Sequence, residues 1–233
     1  MNPFSAMKKL PEASALARLQ REKVAFQSHI KINYEPAARA CRDCPTPGVC
    51  CTDAHFVNVH ITRLEAVAIR ETLARTPRLN DEERRAVYAR AAQAVERYNL
   101  HTSFAGDTYA QTYSCPLFAP GIGCLVHARA KPAPCTQHAC YDNWEEMPPV
   151  ALQWKTEHRV ELLNEQAYGA AWAWLPTPLW LTLVDPDGDG VELARLVRLW
   201  STRRHHHPVT PNNSAHRASA KGRRRRNLPV IAR

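Results

Sequence analysis

The sequence predicts a mainly α-helical domain with short β-strands and irregular cysteine-rich loops. Three observations carry this. Charged and apolar residues alternate at three- and four-residue spacings over several long stretches, the pattern of half-buried helices. Alternating or continuous apolar runs of strand length are few. Eight cysteines fall into two clusters, and the second lies in a segment rich in Pro and Gly, which favours loops.

Residues 12–30 read as a helix with a polar outer face. Residues 55–60, H-F-V-N-V-H, alternate as a short strand does. Thr62 and Glu65 then match a capping box, opening a helix that runs to about Arg75. Asn80 or Asp81 opens a second helix, in which Val87, Ala91, Ala94 and Tyr98 share a face. This pair reads as scaffold. Residues 115–140 read as irregular loop. Residues 156–174 are helical again, followed by a turn at Pro176 and Pro178 and a strand L-W-L-T-L-V over 179–184. A last helix covers 191–200, started by Asp189. Three regions follow: an N-terminal helical extension, 1–40; a cysteine-cluster domain, 41–200; and a disordered tail, 201–233.

The 233 residues carry 31 Lys and Arg against 22 Asp and Glu, a formal charge of +9. From Ser201 onward there are nine Lys and Arg and no acid, so the first 200 residues are formally neutral. The tail is expected to bind polyanions weakly; no aromatic is interleaved with Arg223–Arg226, so base stacking is not indicated. The N-terminal stretch lacks an apolar run of signal-peptide length, which gives a cytoplasmic expectation. Gln166 to Val184 is free of charge, but Pro176 and Pro178 interrupt it, so no membrane span is expected.

Several constellations fail. There is no G-x-x-x-x-G-K-[ST], no G-x-G-x-x-G and no G-x-S-x-G. Asp185, Asp187, Asp189 and Gly190 imitate the start of a calcium loop, but Leu196 stands where the bidentate Glu is required. That segment reads as a turn and a helix N-cap. His205, His206 and His207 lie outside the expected fold.

The first cysteine cluster is Cys41, Cys44, Cys50 and Cys51; the second is Cys115, Cys124, Cys135 and Cys140. A C-x-x-C turn brings two sulfurs to one side and aims backbone N–H groups at them. Thiolates repel one another unless a cation neutralises them, so such clusters in a reducing compartment imply a metal centre surrounded by these loops. All eight cysteines are candidate ligands. Cys41, Cys44, Cys124 and Cys135 are the first four: the turn pre-organises one pair, Gly123 lets the backbone at Cys124 approach closely, and Pro132 and Pro134 stiffen the approach to Cys135. In extended backbone Cys50 and Cys51 would point to opposite faces, so either they serve different sites or only one of them is a ligand. His55, His60, His127 and His138 lie in or beside the clusters. No catalytic residue is identified.

The run C-R-D-C-P-T-P-G-V-C-C (41–51), with F-V-N-V-H-I-T-R-L-E-A after it, resembles the YkgJ-like CxxCxxCC cysteine-cluster family, described as a zinc- or iron-chelating domain. The second block, C-P-L-F-A-P-G-I-G-C-L-V-H-A-R-A-K-P-A-P-C (115–135), is similar to that family's second block at Cys115, Pro116, Leu117, Gly123, Cys124, Pro132 and Cys135. The five-residue gap from Cys44 to Cys50, His127 in place of a Tyr and Lys131 in place of an Arg mark a divergent member. The resemblance implies a cysteine-ligated metal-binding protein. An iron–sulfur cluster is favoured over zinc, because the spacing is irregular and Pro follows Cys115. Its role, redox or structural, and its redox partner stay open. The alternative is an iron–sulfur-dependent oxidoreductase or methyl-transfer enzyme resembling the flagellin lysine methylases.

Overall fold

In the computed structural model, residues 9–39, 43–53, 57–100, 112–169 and 174–202 are described, with the side chains of 144 and 200–202 left aside. The described chain is mainly helical, with short antiparallel strand pairs. The helices are α1 (Glu12–Asn33), α2 (Val49–Thr52), α3 (Arg63–Arg75), α4 (Asp81–Arg97), α5 (Ala133–Gln137), α6 (Val150–Tyr168), α7 (Thr177–Leu183) and α8 (Val191–Thr202). The strands are β1 (Ala38–Arg39), β2 (His60–Ile61), β3 (Phe118–Ala119), β4 (Gly123–Cys124), β5 (Cys140–Tyr141) and β6 (Leu175–Pro176).

Local chemistry sets the helix starts. Thr62 Oγ1 accepts the Glu65 N–H, and Glu65 Oε2 accepts the Thr62 N–H at 3.0 Å. Asn80 and Glu83 repeat the same reciprocal cap on α4, at 2.9 and 2.7 Å. Each such cap contributes about 1 kcal/mol. The Asp-rich turn is a turn: Asp185 Oδ1 accepts the Asp187 N–H, and Asp189 Oδ1 accepts the Val191 N–H that opens α8.

Burial then assembles the elements. α7 packs on α4, and α1 packs on α6, α5 and α3. The main core joins Ile69, Leu73, Val87 and Ala91 to Trp180, Leu181 and Leu196. A second cluster joins Ala15 and Leu19 of α1 to Leu64, Val160 and Leu163. A third seats α5 on α1 through Phe26, Ile30 and Ala133. Asn164 of α6 is fully buried, and its Oδ1 accepts the Leu64 N–H at 3.0 Å, tying α6 to the first turn of α3.

Three expectations change. Residues 179–184 are not a strand, because α7 covers Thr177–Leu183. Pro178 lies in its first turn, where a missing N–H costs nothing. The helix reads as a continuous apolar run because nearly every side is buried. The helix expected over 156–174 runs from Val150 to Tyr168 and ends at Gly169, where φ is +75°. The strand expected over 55–60 enters a ladder only at His60 and Ile61, paired with Pro176 and Leu175; residues 54–56 lie outside the described residues.

Among the described residues no helix is long and apolar enough to cross a membrane. The charge-free run 166–184 is divided between the end of α6, β6 and α7. The described elements end at Thr202, so the tail from 203, with its histidine tract, lies outside the described residues.

Candidate metal centre

Cys50 and Cys51 sit on α2, a single helical turn created by the Pro-Gly segment before it. Gly48 occupies the left-handed region at φ +84°, and its carbonyl accepts the N–H groups of Cys51 and Thr52 at 2.8 and 3.0 Å. The helical turn overturns the opposite-face expectation for the adjacent cysteines. Consecutive residues on a helix are separated by about 100°, so both sulfurs can lie on one side. Their closeness shows in the Cys50 thiol, whose thiolate is favoured first by hydrogen bonding with Cys51 and then by His138. Together these hold the Cys50 thiol well below the usual range. The same bond to Cys50, with burial, raises Cys51.

The second block closes directly onto α2. Two carbonyls at its C-terminal end find their donors there. The Cys115 N–H donates to Cys51 O at 2.8 Å, and Ser114 Oγ donates to Thr52 O at 2.7 Å. Phe118 in β3 lies against Gly48, where an added Cβ would stand 1.9 Å from the ring. β3 and β4 form a hairpin that places Cys124 opposite Phe118. α5 follows, with Pro132 at its N-cap and Cys135 in its middle.

Backbone N–H groups point at these sulfurs. The Leu117 N–H favours the thiolate of Cys115 and the Val126 N–H that of Cys124, while the Phe118 N–H donates to Cys115 O at 3.4 Å. Burial pushes Cys115 up to about 12 and raises Cys124 and Cys135 too. The charges of these groups act on one another: Cys115 and Cys135 on Cys51, Cys124 on Cys115, and Cys115 and Cys124 on Cys135. Cys50, Cys51, Cys115, Cys124 and Cys135, on four segments, thus lie within electrostatic reach of one another.

Cations lie around these sulfurs, Lys23 and Arg90 from outside both blocks and Lys131 from within the second. Lys23 of α1 is buried in an ion pair with Glu65, 2.8 Å, and donates to Lys131 O at 3.0 Å. Its charge reaches Cys135, and that of Lys131 reaches Cys124 and Cys135. Arg90 of α4 donates to Pro116 O, and its charge reaches Cys115.

The other candidates are placed differently. Cys44 is half-buried with Thr46 Oγ1 3.9 Å from its sulfur, and Cys140 is exposed in β5 opposite Arg39. His60 is buried in β2, its Nδ1 2.8 Å from Asn58 O, and His127 is exposed. Cys41 and His55 lie outside the described residues. Among the described residues, no three His, Cys, Asp or Glu side chains converge closely enough to hold an ion as they stand.

Lys23 and Arg90 are not among the residues that the sequence singles out. Lys23 leaves a signal: it interrupts the stripe Ala15, Leu19, Phe26, Ile30 that α1 buries. Arg90 leaves none, since it is one of several arginines on a helix with an exposed face.

Comparison with known proteins adds no relative: no family model, no curated protein and no solved structure matches the chain.

Proposed function

We propose that the chain is a cysteine-ligated metal-binding protein, a divergent YkgJ-like member, whose two cysteine blocks form one centre. The bond from the Cys115 N–H to Cys51 O is the observation that supports this best, because it locks the two blocks together at the ligands themselves. The donor set fits a thiophilic metal: five thiols, backbone N–H groups aimed at two of them, and cations that offset their charge.

Cys51, Cys115, Cys124 and Cys135 would hold the group, with Cys50 and His138 beside them and Cys41 available from the first block. An iron–sulfur cluster is the favoured occupant, zinc the alternative. Such a cluster supplies one-electron transfer when bound. The chain's own part is to bury the sulfurs, orient N–H groups toward them and place Lys23, Arg90 and Lys131 around them. Because the thiols do not converge as they stand, loading draws them together and couples the centre to the fold. On this reading the protein works in a reducing cytoplasm, with a tail that binds polyanions weakly and no membrane partner.

Anaerobic purification followed by iron, zinc and acid-labile sulfide analysis tests it. Brown protein with iron and sulfide supports the cluster, and colourless protein with zinc supports the alternative. Metal-free protein with all eight thiols open to alkylation, before and after reconstitution, contradicts the reading.

A further inference from the structure

Arg90 projects from α4, an element that carries no cysteine, and two of its N–H groups converge on one backbone oxygen. Nε and Nη2 donate to Pro116 O at 3.2 and 3.0 Å. A trans peptide is planar, with its C=O and N–H pointing in opposite directions. The peptide that offers its oxygen to Arg90 is the one whose N–H belongs to Leu117. It is the middle peptide of the turn that the Phe118 N–H closes on Cys115 O at 3.4 Å, and its N–H is the first backbone group that lowers the Cys115 thiol against burial. A guanidinium fork is directional, so it fixes the rotation of this peptide where a single point charge would not. Pro116 and Leu117 are both buried, so water does not compete for the same oxygen.

We propose that Arg90 is a positioning residue for the ligand Cys115: by gripping the Pro116 carbonyl it aims the Leu117 N–H at the sulfur and so sets the affinity of the centre for metal. This rests on the proposed metal-binding reading. Partners one step beyond a ligand act in this way elsewhere, and their loss costs about 10- to 100-fold in metal affinity. Arg90 also polarises the peptide, which strengthens the N–H as a donor to a thiolate.

The test uses the full chain, reduced and metal-free under anaerobic conditions, titrated with Co²⁺ as the probe and read by its thiolate charge-transfer absorption. Arg90→Gln is expected to weaken Co²⁺ binding by about 10- to 100-fold. Arg90→Lys keeps the charge but not the fork and is expected to fall between the two. In a Cys115→Ser background, Arg90→Gln is expected to change affinity by less than about twofold, because the sulfur it serves is gone. The proposal is overturned if Arg90→Gln binds Co²⁺ as the unaltered chain does, or if its effect is the same with and without Cys115. Should Arg90→Gln not fold, Arg90→Lys in the same cycle decides between the same two outcomes. Failure of the underlying reading shows separately, as Cys115→Ser binding Co²⁺ with undiminished affinity and charge-transfer intensity, which overturns both.

Discussion

Cys51 and Cys115, separated by 63 intervening residues, are joined by a backbone hydrogen bond of 2.8 Å from the Cys115 N–H to the Cys51 carbonyl. The bond satisfies a carbonyl at the end of a helical turn and joins the two cysteine blocks there. The intervening helices α3 and α4 then close a long loop whose ends meet at the site. Any centre shared by the two blocks therefore adds to the stability of that whole loop.

Gly48 is the tightest point of this junction. Its φ of +84° and the Phe118 ring beneath it leave no space for a side chain. Gly48→Ala is expected to cost about 2–4 kcal/mol, from the left-handed backbone and the displaced ring. Chemical denaturation of metal-free protein measures this directly. An unchanged denaturation midpoint would show that α2 is not held against β3.

The Lys23–Glu65 pair separates two roles. Removing either partner strands a buried charge, at a cost of about 3–5 kcal/mol. Glu65 also accepts the Thr62 N–H in the α3 cap. Glu65→Gln is therefore expected to destabilise at least as much as Lys23→Met. Lys23→Met should in addition loosen the segment around Lys131, seen as faster hydrogen exchange near Cys135 than in α3. Equal exchange in both places would contradict that link.

The metal-free protein should lose stability in base. Burial raises Cys115 to about 12 and raises Cys124, Cys135 and Tyr113 above their ordinary values. Groups raised in the fold favour it fully below their unfolded values, about 8.5 for a thiol and 10 for a tyrosine. That contribution is lost as pH rises toward the folded values. The thermal midpoint of reduced, metal-free protein is expected to fall steadily above about pH 9. A flat profile to pH 11 would mean that these groups are solvated.

Much of the scaffold was legible in the sequence, and the reasons are local. Thr62 with Glu65, and Asn80 ahead of Glu83, announce α3 and α4 because a cap is built from residues three apart. Residues 179–184 misled because a fully buried helix has no polar face to reveal its period; Pro178 was the better signal. Cys50 and Cys51 misled because a single turn set by Gly48 has no periodicity at all. The gathering of Cys51, Cys115, Cys124 and Cys135 depends on contacts between distant segments, and the part taken by Lys23 and Arg90 follows from burial that no local pattern encodes.

The tail makes a separate prediction. With all of the formal charge excess after residue 200, deletion of 203–233 is expected to leave metal content and thermal midpoint unchanged. Retention on heparin should drop and lose most of its salt dependence. Steep salt dependence in the truncated protein would place a basic patch on the neutral body.

Whether the two cysteine blocks make one centre is decided most directly by bound metal per chain, after anaerobic reconstitution, in Cys51→Ser and Cys124→Ser, one variant from each block. Each is expected to lose the same centre, and with it the rise in thermal midpoint that loading gives the unaltered chain. Full metal content and an undiminished rise in either variant would contradict a shared centre.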